Sequence, residues 1–176
     1  MTNNEKITDV SEVFACLIYN PETGEFFWKK TNSNRCKAGS KAGTLGLDGY
    51  SVVTIKRKRL RAHRLAWLFH TGSWPEKHID HINGIKTDNR ISNLRQVTGT
   101  ENQGNRRKAS SYLGGKTASI HKGVYKAKNG KWRSYIRYKT ENIYVGTFIT
   151  EMEAKKAYDL KAIELFGDYS SVSRGI

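Results

Sequence analysis

The residues best able to do chemistry lie in one run, His78-Ile-Asp-His-Ile-Asn-Gly-Ile-Lys-Thr-Asp-Asn-Arg-Ile-Ser-Asn-Leu-Arg95, with a further amide at Asn102. The run sets a carboxylate, Asp80, beside an imidazole, His81. A hard divalent cation takes oxygen ligands such as a carboxylate and an asparagine amide. A neutral histidine near its working pKa takes a proton from water. Together these groups are the inventory of a one-metal nuclease. The competing reading is a turn capped by Asp80 with His81 packed on a tryptophan, and an Asp-His pair alone does not decide between them.

Strand, loop, strand and helix would have to position these groups. Lys77 to Asp80 reads as a short strand, Asn83-Gly84 as a loop signal, and Asn93 to Thr98 as the returning strand. Thr98 or Thr100 then caps a helix carrying Glu101, Asn102 and Asn105. Asn102 and Asn105 stand about one turn apart, so either amide could face the site. Upstream, Leu17 to Lys29 reads as strand, turn, strand about Pro21-Glu22-Thr23-Gly24. Residues 31–48, rich in Gly, Lys and Ser, read as a loop. Tyr50 to Ile55 is a β-branched strand with Leu60 to His63 as its hairpin partner. Arg64 to His70 is a short apolar helix stopped by Gly72. Met1 to Glu5 is polar and reads as frayed.

In order and spacing, Asp80-His81, the run from Asn83 to Arg95 and the later Asn102 resemble the HNH endonuclease family. The likeness is to the branch that opens on Asp-His and carries Asn in place of the final His. It implies a ββα-metal fold holding one Mg²⁺ or Mn²⁺, with Asp80 and Asn102 as ligands. His81 would be the general base on water, and the metal would stabilise the leaving 3′ oxygen. The spacing from Asp80 fits Asn102 better than Asn105. Asn93 joins the catalytic set as the brace of the loop holding His81, through amide hydrogen bonds to backbone. Asn89 and Arg90 read as structural or phosphate-contacting, and the bidentate guanidinium of Arg90 favours phosphate. His63-Arg64 looks like a segment shared with phage-type HNH proteins. A lone histidine there, as at His70, His78 and His121, is more often a packing or surface residue than a ligand.

The 176 residues include 31 Lys and Arg against 16 Asp and Glu, a net charge of +15, which favours a polyanionic partner. The charge is segregated: neither residues 56–64 nor residues 102–140 contain an acid. Lys56, Arg57, Lys58, Arg59 and Arg61 form either an exposed hairpin tip or a phosphate clamp. Flanking apolar strands would project them rigidly, which favours the clamp. No long apolar run spans a bilayer and no basic-then-apolar segment opens the chain, so a cytoplasmic protein without membrane contact is expected. Cys16 and Cys36 are too few for a zinc ribbon and read as reduced, structural thiols. A hydrophobic content of 37% suits small packed units better than one large core.

Residues 106–119, basic and rich in Gly and Ser, read as a linker that includes Arg106 and Arg107. Beyond it, Gly123 to Tyr125, Lys131 to Tyr138 and Ile143 to Phe148 read as three strands, with Asn129-Gly130 as a hairpin turn. Alternation puts Trp132, Ser134, Ile136 and Tyr138 on one face and Arg133, Tyr135 and Arg137 on the other. Thr150 and Glu153 form a capping box for a helix from Glu151 to Phe166, with Ala154, Ala157, Tyr158, Ala162 and Leu165 as its apolar stripe. Lys122-Gly-Val-Tyr125, Lys131-Trp-Arg133, Ile136-Arg137, Val145-Gly-Thr-Phe148, Ala157-Tyr-Asp159 and Phe166-Gly-Asp168 resemble the AP2 DNA-binding domain over roughly the last third of the chain. Tyr125, Lys126 and Lys128 stand where plant relatives use arginines to read bases, so sequence preference does not carry over.

These readings predict an α+β protein. Residues 1–105 form a ββα-metal HNH nuclease domain with a β-rich extension, and residues 120–176 a small AP2-like domain of three antiparallel strands and one helix. Its partner would be double-stranded DNA, met as a monomer through the Lys56–Arg61 run, Arg90, Arg106, Arg107, Lys126, Lys128, Arg133 and Arg137. The rivals are a non-catalytic DNA-binding regulator on a degenerate HNH scaffold and a basic RNA-binding protein, the latter without the aromatic motifs of common RNA modules.

Overall fold

The computed structural model describes residues 3–6, 9–31, 33–34, 36–105 and 119–172. Arg106, Arg107 and the expected linker up to residue 118 lie outside them. The chain divides into two compact units, Met1–Val97 and Thr98–Ile176. The helix carrying Asn102 therefore groups with the second unit, where the sequence reading puts it with the first.

The first unit opens with two short helices, α1 (Asn3–Lys6) and α2 (Val10–Cys16). The sequence suggests a frayed N-terminus, yet Asn3 to Glu5 are helical; Met1 and Thr2 lie outside the described residues. Glu5 is buried and its carboxylate takes Nε and Nη2 of Arg64. Losing one partner of such a buried pair costs roughly 3–5 kcal/mol, because the other charge is left unpaired. A meander follows, of β1 (Leu17–Asn20), β2 (Glu25–Trp28) and β3 (Lys41–Ala42). Next come β4 (Thr44–Leu45), β5 (Ser51–Ile55) and β6 (Lys58–Arg61), antiparallel in that order. Segment 31–48 is therefore not all loop. Its buried Ala42 pairs with Phe26, and Thr44 pairs with Val52.

Ile55 faces Lys58 across the second meander, which leaves a two-residue turn, Lys56-Arg57. Both residues take positive φ, 45° and 66°. This is the backbone that matches strand twist in tight hairpins and that Asn-Gly ordinarily supplies. Helix α3 (Ala62–Thr71) follows at once, and Gly72 caps it by donating to the Leu68 carbonyl. Its buried Ala62, Leu65, Ala66 and Leu68 join Val13, Leu17, Phe26, Trp28, Ile55 and Leu60 in one core. Each fully buried leucine contributes roughly 1.5–3 kcal/mol. The core also takes Ile79 of β7 (His78–His81) and Leu94 of β8 (Leu94–Val97), so the motif hairpin is fastened by its apolar residues.

The second unit begins with α4 (Gly99–Asn105), capped reciprocally by Thr98 and Glu101. Strands β9 (Val124–Lys126), β10 (Trp132–Tyr138) and β11 (Glu141–Phe148) form an antiparallel sheet with β10 in the centre. Helix α5 (Glu151–Phe166) has the expected capping box. It buries Ala154, Tyr158, Ala162 and Phe166 at strict four-residue spacing, leaving Ala157 and Leu165 half-buried on its flanks. Ser134 and Ile136 of β10 are buried beneath it. Among the described residues no helix is long and apolar enough to cross a membrane.

Candidate functional site

The site grows from the pairing of β7 with β8. Asp80 stands across from Arg95 and His81 across from Leu94. Both side chains are buried, at 7% and 4% exposure. Arg95 donates from Nε (3.1 Å) and Nη2 (2.9 Å) to Asp80 Oδ2, so this carboxylate already has a cationic partner.

His81 Nε2 lies 3.2 Å from Asn89 Oδ1. Asn89 donates its own amide N–H to the Thr87 carbonyl at 3.1 Å, which turns its oxygen toward the ring. An acceptor facing Nε2 requires the proton there, so the basic lone pair falls on Nδ1. Burial lowers the His81 pKa below the usual histidine value, against the opposing pull of Asn89 and Asp80. The ring is therefore neutral at neutral pH, the state a general base requires.

Asn93 ties the intervening loop together. Its Oδ1 accepts from Asn83 N at 2.9 Å, and its Nδ2 donates to Asn83 Oδ1 at 3.0 Å and to the Asp88 carbonyl at 2.8 Å. The first meander supports the same loop from outside. Tyr19 donates its hydroxyl to the Asn89 carbonyl at 2.7 Å. Gly24, at φ 73°, packs so tightly that a Cβ would lie 2.4 Å from Arg90 N and 2.5 Å from the Asn89 carbonyl carbon. Arg64 Nη1 and Nη2 donate to the carbonyls of Lys77 (3.0 Å) and Pro75 (2.8 Å), fixing the entry to β7.

His81 packs on His63 and Tyr50, not on a tryptophan. The His63 and His81 rings meet edge to face, with centroids 5.1 Å apart, and Tyr50 lies 5.3 Å and 5.9 Å from them. Arg61 and Lys86 stand over Tyr50 at 5.2 and 4.9 Å. His63 is buried, its Nδ1 has no hydrogen-bond partner among the described residues, and burial pushes its pKa down to about 3. Sequence reasoning read Asn89 as structural or phosphate-contacting and His63 as more often a packing residue, and it anticipated neither the Asn89 bond to the His81 ring nor the His63–His81 ring contact. The spacing that flagged His81 also contained Asn89, but nothing in it distinguishes an imidazole partner from a loop amide.

The predicted nucleic-acid contacts scatter over several surfaces. Lys56, Arg57 and Arg59 are exposed at the β5–β6 hairpin, while Lys58 and Arg61 are half-buried. Lys56 pairs with Glu12, Arg61 with both oxygens of Asp48, and exposed Arg90 with both oxygens of Asp88. The Arg90 guanidinium holds the Asp88 carboxyl at about 2. In the second unit Lys126, Lys128, Arg133 and Arg137 are all exposed. There Asn102 is half-buried and Asn105 buried.

Among the described residues no three His, Cys, Asp or Glu side chains cluster to hold a metal. A magnesium-type ion needs no such cage, since it takes one or two carboxylates together with waters and substrate phosphate. Asp80 is a donor of that class, and an asparagine amide is another.

Comparison with known proteins gives two kinds of match. A family model described as HNH endonuclease matches residues 60–103. A protein of Acanthamoeba polyphaga mimivirus, named as an uncharacterized HNH endonuclease, is 33% identical over 135 residues, 74% of this chain and 65% of that protein. An AP2-like ethylene-responsive transcription factor of Arabidopsis thaliana is 34% identical over 125 residues, 69% of this chain and 21% of that protein. Another of the same description and organism is 43% identical over 65 residues, 35% of this chain and 13% of that protein. The chain thus spans just under two thirds of the viral relative and about a fifth or less of these plant ones.

Proposed function

We propose that this protein is a divalent-metal-dependent HNH DNA endonuclease of the phage homing type, carrying an AP2-like DNA-binding unit at its carboxy end. The observation behind the reading is a buried, neutral imidazole, held in one tautomer by Asn89 and set next to a buried carboxylate. His81 Nδ1 takes the proton of the attacking water. Asn93 and Asn89 keep the ring aimed by bracing the loop and the Nε2 proton. Asp80 and Asn102 are the residues that would hold one Mg²⁺ or Mn²⁺ of a ββα-metal fold, and the ion would supply charge stabilisation at the leaving 3′ oxygen. The products are 3′-hydroxyl and 5′-phosphate ends. Duplex DNA is gripped by the Lys56–Arg61 hairpin, Arg90, Arg106 and Arg107, and by Lys126, Lys128, Arg133 and Arg137 of the second unit. The enzyme acts as a monomer in the cytoplasm.

One observation favours a second reading, a DNA-binding regulator on a degenerate scaffold: Arg95 already neutralises Asp80. Incubation of supercoiled plasmid with the full chain in Mg²⁺ or Mn²⁺, and in EDTA, separates the two. Cleavage with metal alone is expected, and His81→Ala should slow it by about 10²–10⁴ under single-turnover conditions with DNA affinity kept. Retarded but uncut DNA in every metal gives the regulator reading instead.

A further inference from the structure

The solvent face of the second unit carries a row of three tyrosines, one from each strand. Tyr135 of β10 lies 6.3 Å from Tyr125 of β9 and 5.3 Å from Tyr144 of β11 by ring centroids. Interplanar angles of 65° and 51° keep the rings from closing on each other as a flat stack. Tyr125 is 48% exposed and Tyr144 55% exposed. The row depends on a break in the ladder. Ser134 pairs with Gly146, yet Tyr135 pairs with Tyr144, so Val145 is bulged out. Without that bulge Tyr135 would face Val145 and the row would end after two rings. Bulges that re-aim a side chain in this way cluster at functional sites.

Cationic groups surround the row. Arg133 and Arg137 share its face of β10, as strand alternation requires. Tyr125 and Tyr135 wall two open clefts of about 490 and 480 Å³, the first also lined by Lys126, Lys128 and Arg133, the second by Arg137 and Asn142. Between residues 119 and 150 the sequence holds a single acid, Glu141, among many Lys and Arg. Glu141 pairs with Tyr138, on the opposite face.

Exposed aromatic rings flanked by guanidinium and ammonium groups are the two components of a single-strand platform. Bases stack on the rings irrespective of sequence, and the cations follow the backbone. In a duplex the base faces are already stacked on one another and are closed to such rings. We infer that the Tyr125–Tyr135–Tyr144 row binds single-stranded DNA by stacking unpaired bases, in addition to any duplex contact of this unit. The choice of DNA over RNA rests on the substrate proposed above; the stacking itself does not.

Binding is measured with the full chain in EDTA, so that no cleavage is needed and loss of the nuclease reading leaves this one intact. The probes are a labelled thirty-nucleotide oligo(dT), an abasic strand of equal length, oligo(rU) and a mixed-sequence duplex. Tyr125→Ala and Tyr144→Ala should each weaken oligo(dT) binding about 5- to 150-fold and change duplex binding less than twofold. Tyr144→Phe, which keeps the ring and removes the hydroxyl that lies 2.7 Å from Thr147 Oγ1, should bind as the parent does. The abasic strand keeps the charge without the bases and should bind at least as weakly as either alanine variant. Equal binding of abasic strand and oligo(dT) overturns the stacking role whatever the variants do. So does a Phe variant as weak as Ala, or an equal loss on strand and duplex. Tighter binding of oligo(rU) than of oligo(dT) overturns the assignment to DNA.

Discussion

His63 gives the first unit a pH dependence that can be worked out in sign. Its folded pKa is about 3, depressed by burial first and then by the neighbouring His81 and Arg64. In the unfolded chain it titrates near 6.5. Between these values the unfolded state binds the extra proton, so stability is full above pH 6.5 and falls as pH drops toward 3. By pH 5 the loss reaches roughly 2 kcal/mol. The depressed pKa of His81 adds to the effect with the same sign. Urea melts at pH 7.5 and pH 5 should show the slope in the parent, and His63→Phe should lose about that share of it. Equal slopes would show that His63 stays solvated in solution. At this scale the sequence was readable where a residue type has a specific use. Asp80 and His81 stood out because a carboxylate beside an imidazole suits one chemistry, and the two are buried side by side on β7; the catalytic and metal roles of these residues and of the amides are those proposed above. The contacts of His63 and Asn89 were not legible, because they come from a ring contact and a side chain turned by Thr87, neither of which leaves a mark on spacing.

The β5–β6 hairpin is an element built against its own local preference. A two-residue turn with positive φ at both positions wants Asn-Gly, and this chain supplies Lys56-Arg57. Strain held in that way, at an exposed basic tip, is the pattern expected where charge placement outweighs fold stability. Lys56→Asn with Arg57→Gly should raise the urea midpoint of the protein. The same change should make the slope of log affinity against log salt shallower by about two, near 0.9 for each phosphate that is no longer neutralised. A raised midpoint with an unaltered slope would leave the tip without a DNA role. Strand positions were legible here from β-branched runs, and helix α5 was found to the residue from its capping box and Gly167. Helices α1 and α2 were not, since four and seven polar-mixed residues carry too little periodicity, and the buried Glu5–Arg64 pair that fastens α1 spans 59 residues of sequence.

Taken whole, the molecule is two small units of high positive charge, and the division between them of the proposed DNA contact can be measured. Affinity for a long duplex should fall steeply with salt, because each neutralised phosphate releases counterions. Arg133→Ala with Arg137→Ala should flatten the slope by about two while plasmid cleavage persists at saturating protein. An unchanged slope would move the anchor to the Lys56–Arg61 hairpin. Charge segregation and the change of pattern near residue 120 pointed to two units, and the structure divides into two, at Val97/Thr98 rather than near residue 120. The allegiance of α4 was not readable, because its capping signals follow β8 directly and its packing partners come from beyond residue 119.

Those partners bear on whether the polypeptide must stay unbroken. Gly104 lies so near Phe166 that a Cβ would come within 2.7 Å of its ring. Lys122 Nζ donates to the carbonyls of Gln103 and Gly104, Ser171 N to Gly104, and Gln103 Nε2 to Lys139. The seven-residue helix is thus stitched to the far end of the sequence by bonds that skip residues 106–118. A protease site inserted in that stretch and cut to completion should yield two polypeptides on a denaturing gel. On native gel filtration they should still travel as one species. A chain ended near Ser111 has no such complement and should leave α4 unfolded, and adding back a peptide of residues 119–176 should restore it, as helical circular dichroism would report.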